Sequence, residues 1–303
     1  MSSPVLASTD ARSLMVAATE RLRAAGSPSP RLDAELLVAH AFDRERAWLH
    51  ANPETTLDEA RLSELAGWLG RRAAGEPIAY VRGYKEWLSL RIRTDRRALI
   101  PRPETELLAE TAIEEIARRL TESDKPIAAW EVATGSGAVA VALAVRFRTA
   151  LTLGRLRLGA TDVSAEALEL AAENLAAHGL GGLVALGCGD LLEPPVLPAP
   201  QQPDVLLGNL PYLTSDEVAT GAGSLRYEPH VALDGGADGL DVLRRLLAQL
   251  PERLAPGGVC LLEIGAGQLP AVRDLVEALP MVAQLSAATD LAGIERVVRI
   301  ART

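Results

Sequence analysis

The chain has 303 residues, enough for two domains that each bury a core, and 48% of them are hydrophobic against 23% charged. Its longest uninterrupted apolar run, Ala138 to Val145, is too short to cross a bilayer, and the first residues lack a basic stretch followed by an apolar one. A cytoplasmic protein without membrane contact is therefore expected. The formal charge of -9 is unevenly spread: residues 1–100 carry 15 Lys+Arg against 13 Asp+Glu, and residues 101–303 carry 16 against 27. So acidic a body disfavours stable nucleic-acid binding, which leans on many phosphate contacts.

In chain order, apolar residues first recur at helical spacing, as Leu14, Ala17, Ala18 and Leu22, then Ala34, Leu37, Val38 and Ala41, then Leu57, Leu62, Leu65, Trp68 and Leu69. Pro28 and Pro30 separate the first two segments, with Asp33 and Glu35 in the first turn of the second. These features predict a small helical domain over residues 1–81. Over 82–103, Leu88, Leu90 and Ile92 alternate with Ser89, Arg91 and Arg93, as a connecting β-hairpin would. Arg82, Lys85, Arg91, Arg93, Arg96, Arg97 and Arg102 face only Glu86 and Asp95 there, a basic excess that suits either an acidic partner or RNA, or a solvated hairpin face.

From residue 104 to 303 strand-like apolar runs alternate with helical patterns, which predicts an α/β domain with a mainly parallel sheet covered on both faces. Strands are expected at 127–133, 156–161, 183–188, 204–208, 258–264, 281–288 and 295–301. Helices are expected at 104–119, 137–148, 165–178, 238–254 and 268–279. No long helix separates the last two strands, so they pair antiparallel through a turn at Gly293. Pro194 to Pro203 reads as a proline-rich surface loop. Cys188 and Cys260 lie in apolar segments without a Cys-x-x-Cys pair or clustered histidines, which reads them as small buried hydrophobes rather than metal ligands or a disulfide.

Three strand ends carry chemistry. Glu131-Val132-Ala133-Thr134-Gly135-Ser136-Gly137 joins a strand to an alanine-rich helix, and its glycines let backbone approach a ligand closely. The Gly-Lys-Ser/Thr of a phosphate-binding loop is missing, so a nucleoside without phosphates fits better. Asp162 ends the next strand, where its carboxylate is placed to accept ribose hydroxyl protons; the competing role is a helix N-cap, which Ser164 could also fill. Asp190, within Gly189-Asp190-Leu191, is placed to accept from an adenine amino group while Leu191 covers the ring, although turn chemistry alone would also select Gly-Asp. A fourth strand end, Asn209-Leu210-Pro211-Tyr212, sets an amide oxygen, a backbone carbonyl and an aromatic face around one small NH2 group; a turn closing a strand would use similar residues.

These motifs in this order resemble a class I S-adenosylmethionine-dependent methyltransferase, and more narrowly the HemK/PrmC family of peptide chain release factor glutamine methyltransferases. The resemblance also runs through Pro30 to Leu37, Gly75-Glu76-Pro77-Ile78-Ala79-Tyr80, Ile100 to Glu106, Glu228-Pro229 and Ala232 to Leu240, and so covers nearly the whole chain. It implies a seven-stranded Rossmann-like sheet with an antiparallel last strand, preceded by a helical domain that recognises the substrate. It further implies S-adenosylmethionine as cofactor and S-adenosylhomocysteine as product, with class 1 release factors as partners; a monomer without a metal site is expected. Cofactor contacts are expected from Glu131, Ala133, Thr134, Gly135, Ser136, Gly137, Asp162, Asp190, Leu191 and Asn209. Substrate contacts are expected from Arg102, Glu104 and the Asn209 to Tyr212 loop.

The implied reaction methylates the side-chain amide nitrogen of the glutamine in a Gly-Gly-Gln motif. That nitrogen is a poor nucleophile because its lone pair is delocalised into the carbonyl, so positioning must supply much of the help. Asn209 Oδ1 and the Leu210 carbonyl are expected to accept one N–H each, which also stabilises positive charge growing on nitrogen. Tyr212 packs against the amide plane, Pro211 holds the turn, and no separate base is needed because the methylated amide is acidic. Glu228-Pro229 reads as a brace for this loop or as a simple turn.

Two positions depart from the family pattern. Leu210 stands where a proline is commoner, and Ala133 where a glycine is commoner; the latter is harmless at negative φ and costly at positive φ. Neither removes a donor or acceptor, so activity is expected to survive. Methylation of a ribosomal-protein glutamine, a DNA amino-methyltransferase, and a cofactor-binding scaffold that has lost catalysis are the alternatives.

Overall fold

The computed structural model describes residues 9–193, 202–221 and 223–303, so all but the last two residues of the expected proline-rich loop lie outside the described residues. The chain divides into two compact units, Met1–Tyr84 and Lys85–Thr303.

The first unit is helical: α1 (Ala11–Ala24), α2 (Pro30–Phe42), α3 (Arg46–Ala51), α4 (Glu59–Ala73) and α5 (Ile78–Arg82). Asp10 and Asp58 cap α1 and α4 by accepting from Ser13 N at 3.0 Å and Arg61 N at 2.8 Å. Pro30 opens α2, where its missing N–H costs nothing. Leu14, Ala18 and Leu22 share one face of α1 and close on Leu37, Val38, Leu65 and Leu69, all of them buried, whereas Ala17 points to solvent. Asp33 and Glu35 are more than first-turn acids. Both are buried and satisfied, Asp33 by Arg72 at 2.8 Å, and Glu35 by Arg31 at 3.0 Å and Arg46 at 2.6 Å. The two arginines on Glu35 hold its pKa below the ordinary carboxylate value even though burial opposes them.

A two-stranded hairpin follows, β1 (Tyr84–Trp87), which starts at the last residue of the first unit, and β2 (Leu90–Arg93); its turn residues Leu88 and Ser89 have φ of 46° and 59°. There follow α6 (Thr105–Glu122), β3 (Ile127–Val132), α7 (Ala138–Arg146), α8 (Arg148–Thr152), β4 (Leu156–Asp162), α9 (Ala165–Ala177), β5 (Val184–Cys188) and β6 (Val205–Asn209). The chain closes with α10 (Ser215–Thr220), α11 (Asp241–Arg253), β7 (Val259–Glu263), α12 (Leu269–Glu277), β8 (Ala283–Thr289) and β9 (Glu295–Arg302). The seven larger strands form one sheet in the order β5-β4-β3-β6-β7-β9-β8. β3 to β7 pair in parallel, whereas β9 inserts antiparallel between β7 and β8. The last strand is thus the antiparallel one, as expected.

One hydrophobic core joins α6 and α7 to one sheet face through Leu108, Ile116, Leu143, Leu158 and Leu207; a second joins α11 and α12 to the other through Leu246, Leu250, Leu206, Leu262 and Val272. Burial on both faces explains why the central strands read as continuous apolar runs. Cys260 is buried in the second core, but Cys188, at the exposed end of edge strand β5, is not the buried hydrophobe its sequence context suggested. Short α8 and α10 carry too little periodicity to be found from sequence. Among the described residues no helix is long and apolar enough to cross a membrane.

Part of the basic excess around the hairpin is neutralised within this unit. Arg97 bridges Asp95 and Glu173 at 2.8 Å each, Arg93 reaches Glu173 at 3.4 Å, and Arg102 pairs with Glu228 at 2.7 Å.

Candidate active site

Parallel strands end on one edge of the sheet, and their C-terminal loops surround a cleft of about 230 Å³. Of the residues singled out from sequence, Arg102, Glu131, Ala133, Thr134, Gly135, Ser136, Asp162, Asp190, Leu191, Asn209 and Pro211 line it. Glu104, Gly137, Leu210 and Tyr212 do not. Glu104 sits at the N-cap of α6, and Gly137 at that of α7. A side chain at Gly137, which has φ +75°, would come within 2.9 Å of Ala171 Cβ, so the turn needs glycine for packing as well as for its dihedral. The Leu210 side chain is 3% exposed and belongs to the second core with Val132, Leu206 and Leu243. That burial anchors the residue in place of the commoner proline ring.

The glycine turn is tied down by carboxylates. Glu131, at the end of β3, is 4% exposed and accepts from Thr134 Oγ1 at 2.9 Å. Burial pushes its pKa up to about 8 against the hydrogen bonds that favour the anion. Asp162, ending β4, accepts from Gly135 N at 2.8 Å and Ser164 N at 2.9 Å, while the cap of α9 is Ser164 itself, accepting from Ala167 N at 3.1 Å. Each Asp162 oxygen keeps lone pairs for a ligand. Buried Asn174 on α9 accepts from Arg93 N at 2.7 Å and donates to the Ser136 carbonyl at 2.8 Å, joining the hairpin to the turn.

Ala133 has φ +53°, the costly branch of the alternative posed by its sequence position. Left-handed geometry costs an alanine about 1–2 kcal/mol, part of which glycine would return as unfolded-state entropy. Ala133→Gly should therefore raise stability by up to about 1 kcal/mol with activity retained, measurable by denaturant unfolding beside a methylation assay.

Asn209, the last residue of β6, donates from Nδ2 to Thr105 Oγ1 at 3.0 Å. Behind it, buried Glu263 at the end of β7 is the register partner of Asn209, and its Oε1 lies 3.5 Å from the Tyr212 hydroxyl. Burial lifts Glu263 to about 7 and Tyr212 to about 12. The Pro211-Tyr212 backbone rests on the Ala232 to Leu240 loop. Leu213 N donates to the Leu233 carbonyl at 3.1 Å, Gly235 N donates to the Leu213 carbonyl at 2.8 Å, and Gln268 Nε2 donates to the Tyr212 and Gly239 carbonyls at 3.3 Å each. Glu228 braces a different loop, accepting from Ile100 N at 3.0 Å and from Arg102 at 2.7 Å.

The cleft suits a cationic nucleoside and not a phosphate. Its three arginines each pair with a carboxylate: Arg97 with Asp95 and Glu173, Arg102 with Glu228, and Arg245 with Asp190. Glu131 and Asp162 face the turn with acceptor capacity and no arginine or lysine partner among the described residues. Among those residues no cluster could hold a metal ion.

A pH dependence follows. Burial keeps Glu131 protonated in the folded state up to about pH 8, but in the unfolded chain only up to the ordinary carboxylate value of 4.5. The folded form thus binds the extra proton between these values, and stability falls as pH rises through that window. Thermal melts of the ligand-free protein from pH 5 to 9 should show a falling Tm that Glu131→Gln flattens.

The sheet order and the acidic, glycine-turned cleft define a class I methyltransferase. In fold it is similar to the hMettl16 catalytic domain solved with the MAT2A 3′UTR hairpin 6, at TM-score 0.51 and 14% identity over 82% of this chain and 84% of that one. Residues 13–83 match the PrmC N-terminal domain family. The chain is 37% identical to the release factor glutamine methyltransferase of Bordetella pertussis over 88% of its own length and 93% of the relative's, and 39% identical to that of Deinococcus radiodurans over 96% and 98%. It belongs to the release factor glutamine methyltransferase family.

Proposed function

We propose that this cleft methylates the side-chain amide nitrogen of the glutamine in the Gly-Gly-Gln motif of class 1 peptide chain release factors. The enzyme is an S-adenosylmethionine-dependent protein glutamine methyltransferase. The observation that carries the site assignment is the Asn209 amide, held by Thr105 at 3.0 Å on the rim of the cleft that also contains the Glu131 to Ser136 turn.

S-adenosylmethionine, when bound, supplies an electrophilic methyl group and leaves as S-adenosylhomocysteine. Glu131 and the turn amides hold its amino-acid end, Asp162 accepts from the ribose hydroxyls, and Asp190 and Leu191 receive the adenine. With Nδ2 engaged by Thr105, Asn209 turns Oδ1 towards the substrate and accepts one glutamine N–H. The Leu210 carbonyl accepts the other, its residue anchored by a buried side chain. Two acceptors on one NH2 group fix the direction of the nitrogen lone pair and stabilise the charge it acquires. The Tyr212 ring excludes water beside the amide. Arg102 and Glu104 border the substrate entrance, and the first unit grips the release factor.

On this reading the protein acts as a monomer in the cytoplasm. The test is incubation with S-adenosylmethionine and unmodified release factor, followed by peptide mass spectrometry. Methylation of the Gly-Gly-Gln glutamine is expected; an unmodified peptide beside a competent positive control overturns the proposal.

A further inference from the structure

We propose that Arg245, on α11, is a positioning residue for the nucleobase end of the cleft. It holds one oxygen of the Asp190 carboxylate so that the other meets the exocyclic amino group of adenine, and a purine with a carbonyl at that place is rejected. The proposal rests on the reading of Asp190 as the adenine acceptor.

The turn that carries Asp190 is held from two sides. On the sheet side, Gly189 N donates to the Asp162 carbonyl at 3.0 Å, and Leu191, at φ +56°, sinks its side chain into the second core. On the helix side, Val242, Arg245 and Gln249 recur at steps of three and four residues, which sets them on one face of α11. Val242 and Arg245 line the cleft. Arg245 Nη2 donates to Asp190 Oδ2, and Gln249 Oε1 accepts from Leu192 N at 3.0 Å. Asp190 Oδ1 makes no hydrogen bond among the described residues. The two side chains of the ion pair are 50% and 42% exposed, so the pair adds little to folding stability. What it fixes is the direction of a carboxylate on the cleft wall.

The logic is one of donors and acceptors. A carboxylate only accepts and a guanidinium only donates. With Oδ2 engaged by Arg245, Oδ1 is the oxygen left to accept from a nucleobase, and its place is set by α11 rather than by free rotation of the side chain. Adenine offers a donor there, its exocyclic amino group. Hypoxanthine offers a carbonyl oxygen instead and carries its donor on the neighbouring ring nitrogen. A freed carboxylate can swing to follow that donor, whereas one held by Arg245 sets oxygen against oxygen. Discrimination between the two purines therefore depends on Arg245, which acts through Asp190.

The experiment titrates S-adenosylhomocysteine and S-inosylhomocysteine into the full-length protein by calorimetry. The wild type should bind the adenine ligand roughly 10–100-fold more tightly, the cost of leaving two acceptors facing each other unpaired. Arg245→Ala should bring the two affinities within about threefold of one another, chiefly by weakening S-adenosylhomocysteine. Its Tm should stay at the wild-type value, because the lost ion pair is exposed. Asp190→Asn should reverse the preference: the asparagine oxygen goes to Arg245, and its NH2 group is turned to the base, where it meets the hypoxanthine carbonyl. The Asp190→Asn/Arg245→Ala double variant should lose that reversal. In methylation assays Arg245→Ala should raise the KM for S-adenosylmethionine and leave kcat near the wild-type value, as loss of uniform binding does. Wild-type discrimination in Arg245→Ala, or a reversal that survives in the double variant, overturns the positioning role. Wild-type discrimination in Asp190→Asn would instead remove the reading of Asp190 as the adenine acceptor, so the two failures are distinguishable.

Discussion

Asn209→Ala is expected to lower kcat by about 1,000-fold while leaving S-adenosylmethionine binding largely intact, the size of effect seen when a preorganised polar group is removed from a reacting centre. The substitution deletes the Oδ1 acceptor without touching Glu131 or Asp162, which hold the glycine turn through Thr134 and Gly135. It also frees the Thr105 hydroxyl, whose partner at 3.0 Å disappears. The check pairs single-turnover methylation with calorimetric titration of the cofactor. Loss of both activities together would assign Asn209 a structural role instead.

A second large effect is expected well outside the cleft. Gly239 has φ +74°, and a Cβ built there would stand 2.2 Å from the Tyr212 carbonyl oxygen and 3.0 Å from Gln268 Nε2. Gly239→Ala must therefore displace the backbone that follows Pro211, adding steric strain of about 1–3 kcal/mol to a left-handed penalty of about 1–2 kcal/mol. Gly257→Ala is the internal control. Gly257 has φ +73° with nothing within 4 Å of the added carbon, so it carries the dihedral penalty alone. Denaturant unfolding should show Gly239→Ala to be the more destabilising of the two, and only Gly239→Ala should also lose kcat. Equal losses of stability, or unchanged kcat in Gly239→Ala, would show that the Tyr212 loop does not depend on this support.

The parts of the fold legible in the sequence are those fixed by local periodicity. The strand-helix alternation from β3 onward, the buried faces of α1, α2 and α4, and the antiparallel pairing of β8 with β9 through Gly293 follow from spacing that any chain neighbour can read. The insertion of β9 between β7 and β8 is not local and appears only in the assembled sheet. Short α8 and α10 lack the length over which a helical period registers.

The site divides in the same way. Glycine turns and acids at strand ends advertise themselves, and Glu131, Asp162, Asp190 and Asn209 do converge on one cleft. Glu263 carried a comparable signal, an acid closing the apolar run Val259-Cys260-Leu261-Leu262, whereas Thr105, the partner of Asn209, lies 104 positions from it in sequence. Asn174 and Gln268 carried none, being polar residues whose importance lies wholly in the backbone atoms they meet.

By itself the sequence determined the strand and helix register, the composition of the glycine turn and the identity of the polar groups at the strand ends, because these depend on neighbours a few residues away. Only the tertiary structure decided how those groups are oriented. Leu210 is anchored by a core drawn from β3, β6 and α11, Ala133 is held at a positive φ, and the Asn209 amide is held by a threonine on α6. Hydrogen-bond polarity and side-chain burial are set by contacts between distant segments, and those exist only once the chain has folded.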